Sequence, residues 1–481
     1  MQLPAPRLLI GGDWIDAAER ETIPVIDPST GETFGAIARG KDADVDRAVA
    51  AARKALSGLW GAMTAIERGR ILHHLSSLIE READRLAHFE ARDVGKPLAQ
   101  ARADVTACAR YFEYYGGAAD KLHGETIPFQ AGYAVLTWYE PHGVTGHIVP
   151  WNYPLQIMGR SVAAALAVGN ACVVKPGEDA SLTALILGEL ALEAGLPEGV
   201  LNIVTGFGEE AGAALAGHPG VNHVSFTGSV EVGALVQQAA GRNVVPVTLE
   251  LGGKSPQIVF ADADLEAALP FLVRASIQNA GQTCSAGSRV LIERPIFDQV
   301  ATALAERFRA LRVGSALSNL DIGPIINQRQ RDRIAGIVEE AAQAGAPLLA
   351  EGEISPDTPG GGFYVHPALF GPVDPACDLA QREVFGPVLA LIPFEGEDEA
   401  VRIANGVEYG LVAGIWTRDG GRQLRIARRL RAGQVFVNNF GAAGGVELPF
   451  GGVGKSGHGR EKGFEGLYGF ASLKTVAIKY E

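Results

Sequence analysis

Between residues 144 and 250, short apolar runs alternate with stretches whose apolar positions recur at helical spacing. The runs VTGHIVP, ACVVKP, LNIVTG, VNHVSFTG and VVPVTLELGG read as strands. The segments between them read as helices over about Leu155 to Val168, Ser181 to Ala194, Glu209 to Ala216 and Val230 to Ala240. Strands joined by helical crossovers lie parallel, because a parallel neighbour needs a connection long enough to return to the same edge. The pattern predicts an α/β fold whose first unit is a doubly wound parallel sheet of the nucleotide-binding type.

A second series begins after Gly253: PQIVF, a helix over Leu265 to Gln278, the glycine-rich AGQTCSAG, and then the strand RVLIE. PVLALIPF, GIWT and QVFVNN follow with helical segments between them, one over Arg422 to Arg431, which makes a second α/β domain. The runs IPFQAGYAVLTWYEP and FASLKTVAIKYE are strand-like but stand apart from both series. They are expected to pair with each other across a subunit boundary.

Asp and Glu number 55 against 42 Lys and Arg, a formal charge of −13, so bulk charge gives no hold on nucleic acid or an anionic membrane. The arginines of RQLRIARRLR fit a solvated helix face with cations near its C-terminus, where the helix dipole favours them. Cys108, Cys172, Cys284 and Cys377 are far apart and form no pair of the zinc or redox kind, so no metal is expected. The opening MQLPAPRLLIGGDWID has no long apolar core, and the apolar stretch from Val162 to Val174 is too short to span a bilayer. A reducing, cytoplasmic setting is the expectation.

Several residues carry candidate chemistry. Cys284, in GQTCSAG, is flanked by small residues that let a substrate approach sulfur, although a cysteine taken alone is more often a small core hydrophobe. Glu250 ends an apolar run where a strand meets Gly-Gly; burial there would raise its pKa and suit it to general-base work, against the ordinary alternative of a strand-end charge. Asn152, in VPWNYP, ends another strand, where its amide would serve as an oxyanion donor or as a turn residue between prolines. Lys175 and Glu178, in VVKPGE, follow the second strand at the carboxyl edge where such sheets bind nucleotides. Both can bond ribose hydroxyls, and the carboxylate would repel a 2′-phosphate, so NAD is expected over NADP. The turn FTGSVEVG, with Gly228, Ser229 and Gly233, opens a helix whose N-terminus can face a pyrophosphate, although it is not the GxGxxG fingerprint.

Taken together, PWN, KPGE, FTGSVEVG, ELGGKSP, GQTC, EVFGP and PFGGVGKSGHGRE resemble the aldehyde dehydrogenase superfamily in content, order and spacing over nearly the whole chain. The resemblance implies a nucleophile at Cys284, an oxyanion donor at Asn152 and a water-activating base at Glu250. It also implies cofactor contacts from Trp151, Lys175, Glu178, the Gly228 to Gly233 turn, Glu383 and Phe385. The implied division is an NAD-binding domain over 1–121 and 142–252, a catalytic domain over 253–453, and oligomerisation segments over 122–141 and 454–481 that assemble a homodimer or homotetramer. Two departures stand out. Gly177 replaces the more usual Ala or Ser, which would loosen the ribose site. Arg160 and Ser161 stand where many members carry Trp-Lys. The RSVA pattern and Tyr153 resemble benzaldehyde-type members and favour an aromatic or bulky apolar aldehyde. The alternative is a semialdehyde whose carboxylate meets Arg160. Acyl transfer to coenzyme A, a non-redox thiol esterase using Cys284, and a non-catalytic protein on the same fold are the remaining rivals.

Overall fold

The computed structural model describes residues 3–481, so the first two residues of the N-terminal segment lie outside the described residues. The first sheet has eight strands. Its central five lie in the spatial order Leu201–Ile203, Ala171–Pro176, Val144–Val149, His223–Thr227 and Val247–Glu250, all parallel. The chain therefore winds outward one way from Val144–Val149 and then the other, and the two directions part between Val144–Val149 and His223–Thr227. A crevice opens at the carboxyl ends of strands that part in this way.

The connecting helices take the places that their patterns predict. Pro154–Val168 is buried almost all round, begins with a proline whose missing N–H costs nothing there, and ends at Gly169 in the left-handed region. Leu182–Glu193 is similarly buried. The helix expected near residues 209–216 opens instead as a π-turn, Gly208–Gly212, and continues as Ala213–Gly217. No helix among the described residues is long and apolar enough to cross a membrane.

The second sheet has seven strands, in the order Leu348–Glu351, Ala368–Phe370, Val388–Phe394, Arg289–Glu293, Pro256–Val259, Val412–Trp416 and Gln434–Val437. All its pairings are parallel except the first. The arginine-rich helix, Gly420–Arg429, is not merely solvated. Arg422 and Arg425 bond Glu397 at 3.2 and 2.6 Å, and Arg429 bonds Asp398 at 2.7 Å, so its cations are answered by the neighbouring helix Gly396–Ala404.

The strand-like outliers pair with each other, but within one chain. Ala471–Lys479 runs antiparallel to Tyr133–Pro141 in unbroken register, and Thr126–Ile127 adds a third strand. This corrects the expectation of pairing across a subunit boundary: the chain returns far enough to complete the ladder itself. The short strand Gly457–His458 joins the first sheet beside Leu249 and Glu250, and so carries residues 450–462 to the edge of the crevice.

Candidate active site

A cleft of ≈ 520 Å³ opens where the two strand series part. The first sheet contributes Trp151 and Asn152 from the end of Val144–Val149, and Thr227, Gly228 and Ser229 from the end of His223–Thr227. The second unit contributes Cys284, Glu383 and Phe385, so residues distant in sequence share one wall. A cleft of this size accommodates an extended small ligand.

Cys284 sits in the turn between the short helix Gln278–Gly281 and strand Arg289–Glu293. Asn279 and Ala280 are both held at positive φ, 49° and 54°, a strained arrangement for non-glycine residues that the surroundings enforce. Gln100 Oε1 accepts from the Asn279 backbone N–H at 3.0 Å, and the Asn279 side chain donates to the Asn152 carbonyl at 2.9 Å. Asn152 in turn donates from Nδ2 to the Gln282 carbonyl at 3.0 Å, and the Gln282 side chain accepts from the Ile326 N–H at 3.0 Å. The Cys284 carbonyl lies so close to Gly253 that a Cβ there would stand 2.5 Å from its oxygen, which explains the glycine in ELGGK. Burial pushes the Cys284 thiol up to about 12 against the opposing pull of Arg160, so its proton must leave as the sulfur reacts.

Glu250 is only 1% exposed, and neither carboxylate oxygen has a hydrogen-bond partner among the described residues. Burial first, and then the charge of Glu461, hold its pKa well above the usual carboxylate range. This is the buried, proton-accepting environment expected at the end of the apolar run. Arg160 is corrected. Its guanidinium is buried, pairs with Glu461 and reaches Thr227 Oγ1 at 3.3 Å, so it is committed within the protein rather than presented to a substrate carboxylate. Tyr153 is also buried and does not line the cleft; its hydroxyl shares a 2.7 Å bond with Thr283 Oγ1.

Ser229 caps helix Val230–Gly241, its side chain accepting from the Val232 N–H at 3.3 Å. The first backbone N–H groups of that helix thus border the cleft, where the dipole favours an anion. A Cβ at Gly233 would meet Leu251 Cδ2 at 2.6 Å, so this position packs closely against the strand end. Gly177 likewise serves close packing: a Cβ would stand 2.9 Å from the Trp151 backbone nitrogen. Lys175 and Glu178 bond each other at 2.7 Å, outside the lining of the cleft described above. Glu383 accepts from the Gly253 N–H at 2.9 Å, and burial pushes its carboxyl up to about 7 despite that bond. Phe385 meets Trp151 edge to face, with ring centroids 5.6 Å apart. A helix N-terminus, a carboxylate in the cleft and two flat rings fit a dinucleotide's pyrophosphate, ribose and ring. Sequence reasoning missed Gln330 and Arg333, which also line the cleft; Arg333 donates to the carbonyls of Glu383 and Val384 at 2.8 and 2.7 Å. Both sit on a polar helix, where nothing in the local pattern sets them apart.

A family model described as the aldehyde dehydrogenase family matches residues 14–476. Hydroxyisobutyraldehyde dehydrogenase of Mycolicibacterium austroafricanum is 43% identical over 478 residues, 99% of this chain and 94% of that protein. Retinal dehydrogenase 2 of Homo sapiens is 40% identical over 484 residues, covering 100% of this chain and 93% of that one. Among solved structures, a putative aldehyde dehydrogenase from Burkholderia cenocepacia superposes with a TM-score of 0.98 at 65% identity, covering 99% of this chain and 100% of that one. A betaine aldehyde dehydrogenase point mutant from Staphylococcus aureus, in complex with NAD+, does so with a TM-score of 0.97 at 35% identity, covering 100% and 98% of the two chains.

Proposed function

The chain belongs to the aldehyde dehydrogenase family and is an NAD-dependent aldehyde dehydrogenase, and on that premise we propose that Cys284, Asn152 and Glu250 oxidise an aromatic or bulky apolar aldehyde to its acid through a thioester. The observation that carries this is the shared wall: Cys284 and Asn152 line one cleft with Glu383 and Phe385, while an unpartnered Glu250 carboxyl lies buried nearby.

The sulfur of Cys284 adds to the carbonyl carbon as its proton leaves to solvent. The carbonyl oxygen takes on negative charge, which the Asn152 amide stabilises by donating an N–H. NAD, when bound, supplies the hydride acceptor. As hydride leaves the carbon, the oxygen's electron pair restores the carbonyl and leaves an acyl group on Cys284. Glu250 then takes a proton from a water. The water oxygen attacks the acyl carbon, the C–S bond breaks, and the acid departs. Transfer to coenzyme A would give Glu250 no task in this second stage. Ser229 and the helix it caps would receive the pyrophosphate, Glu383 and Glu178 would bond the ribose hydroxyls, and Trp151 and Phe385 would flank the cofactor. The carboxylate of Glu178 favours NAD over NADP.

Phe436, Phe440 and Phe450 support an aromatic or bulky apolar substrate, because they cluster with Cys284 apart from the residues lining the dinucleotide cleft. A homodimer or homotetramer is supported by Trp138, Leu473 and Ile478, exposed apolar side chains on the three-stranded sheet. A cytoplasmic setting suits an enzyme whose four cysteines are all free thiols. Profiling a panel of aldehydes with NAD and NADP by reduced-cofactor fluorescence tests the assignment. Aromatic aldehydes with NAD should give the highest kcat/KM, and a preference for small aliphatic aldehydes by orders of magnitude would overturn it.

A further inference from the structure

Lys462 packs against an aromatic ring of the small cluster that includes Cys284. Its ammonium lies 5.5 Å from the ring centre of Phe450 and 6.0 Å from that of Tyr111, and its one hydrogen bond among the described residues is a 3.2 Å donation to the Gly444 carbonyl. Phe450 belongs to the cluster that packs against Cys284. The cleft lined by Trp151, Glu383 and Phe385 includes Cys284 but neither Phe450 nor Lys462, which lie outside its lining.

The charged and titratable groups that face Lys462 come from several elements. Arg160, from helix Pro154–Val168, is paired with Glu461, the residue preceding Lys462. Glu250, at the end of its strand, and the Cys284 thiol both have pKa values raised by burial. Tyr111, from helix Leu98–Ala118, presents a phenol that burial also keeps neutral. No carboxylate lies within ion-pair distance of Lys462 among the described residues. Two further observations point to a missing acceptor. The Tyr111 hydroxyl is buried without any hydrogen-bond partner, on the ring that Lys462 covers. Lys462 itself is held at φ 60°, a conformation that costs a non-glycine residue strain and fixes where its side chain starts.

We propose that Lys462 reads the far end of the substrate, and that the preferred aldehyde carries an anionic group of the carboxylate class on the end remote from its carbonyl. The cation meets that group through a charge-assisted hydrogen bond, while the rings beside Cys284 hold the apolar body between. This rests on Cys284 being the nucleophile and deepens that assignment. It also returns a substrate anion to the site after Arg160 is withdrawn, on a different residue.

The test compares kcat/KM for 4-carboxybenzaldehyde and 4-methylbenzaldehyde with NAD, in the wild type, Lys462→Met and Lys462→Arg. The wild type should favour the acid-bearing aldehyde. Lys462→Met should lower the ratio by about 10- to 100-fold, and Lys462→Arg should keep most of it. Burial and the repulsion of Arg160 bring the Lys462 ammonium down to about 8, so the wild-type ratio should fall as pH rises through that value and the charge is lost. Glu250 and Cys284 serve both aldehydes, so their titration cancels in the ratio. A ratio unchanged in Lys462→Met overturns the proposal, as does a wild type that prefers the methyl compound. If Lys462→Met does not fold, a wild-type ratio flat across that pH range overturns it. Absence of NADH with either aldehyde would instead defeat the assignment of Cys284, which separates the two failures.

Discussion

The hydroxyl of Tyr153 and Oγ1 of Thr283 lie 2.7 Å apart, which ties the residue before the nucleophile to the segment that carries Asn152. Thr283 also donates to the Gln278 carbonyl at 3.2 Å, and the Lys96 ammonium lies 4.2 Å from the centre of the Tyr153 ring. The turn bearing Cys284 is thus fastened from below by a buried chain of polar contacts, while its sulfur faces the cleft.

Tyr153→Phe keeps the ring and removes the bond. One such hydrogen bond contributes about 0.5–1.5 kcal/mol, so kcat should fall about 2- to 10-fold with the KM for NAD unchanged, as steady-state kinetics would register. A change in the KM for NAD alone would place Tyr153 with the cofactor instead.

Asn152→Ala removes the amide proposed to meet the developing oxyanion and leaves the Gln282 carbonyl without its 3.0 Å donor. Turnover should drop about 10²- to 10³-fold while NAD still binds, measurable by titrating the variant with the cofactor and then adding aldehyde. Wild-type kcat in this variant would remove Asn152 from the oxyanion role.

Lys96 is buried between Glu90 at 3.1 Å and Asp104 at 2.5 Å. Replacing it with Met strands two carboxylates in the interior, and the loss should be on the order of 3–5 kcal/mol, read from the shift of the urea unfolding transition. A midpoint within error of the wild type would mean that the carboxylates escape to water or protonate at little cost.

Much of this was readable before the fold was known, for physical reasons that differ by residue. The five parallel strands announce themselves because both faces of the sheet are covered, so each is a continuous apolar run, and the βα alternation fixes their direction. Glu250 is legible because a carboxylate ending such a run is buried by its neighbours. Arg160 misled because sequence spacing places a residue on a helix but does not say what packs over it: Glu461 arrives from another part of the chain. Lys462 and Tyr111 were invisible for the same reason, since one lies in a glycine-rich loop and the other on a helix built before the crevice begins.

Everything above depends on a covalent acyl group residing on Cys284 between hydride loss and hydrolysis, and Glu250→Gln isolates that moment. Mixed rapidly with NAD and an aromatic aldehyde, this variant should release a burst of NADH equal to its active sites and then stall, with mass spectrometry finding the acyl group on the peptide that contains Cys284. Steady turnover at the wild-type rate, with no adduct at Cys284, would contradict the account.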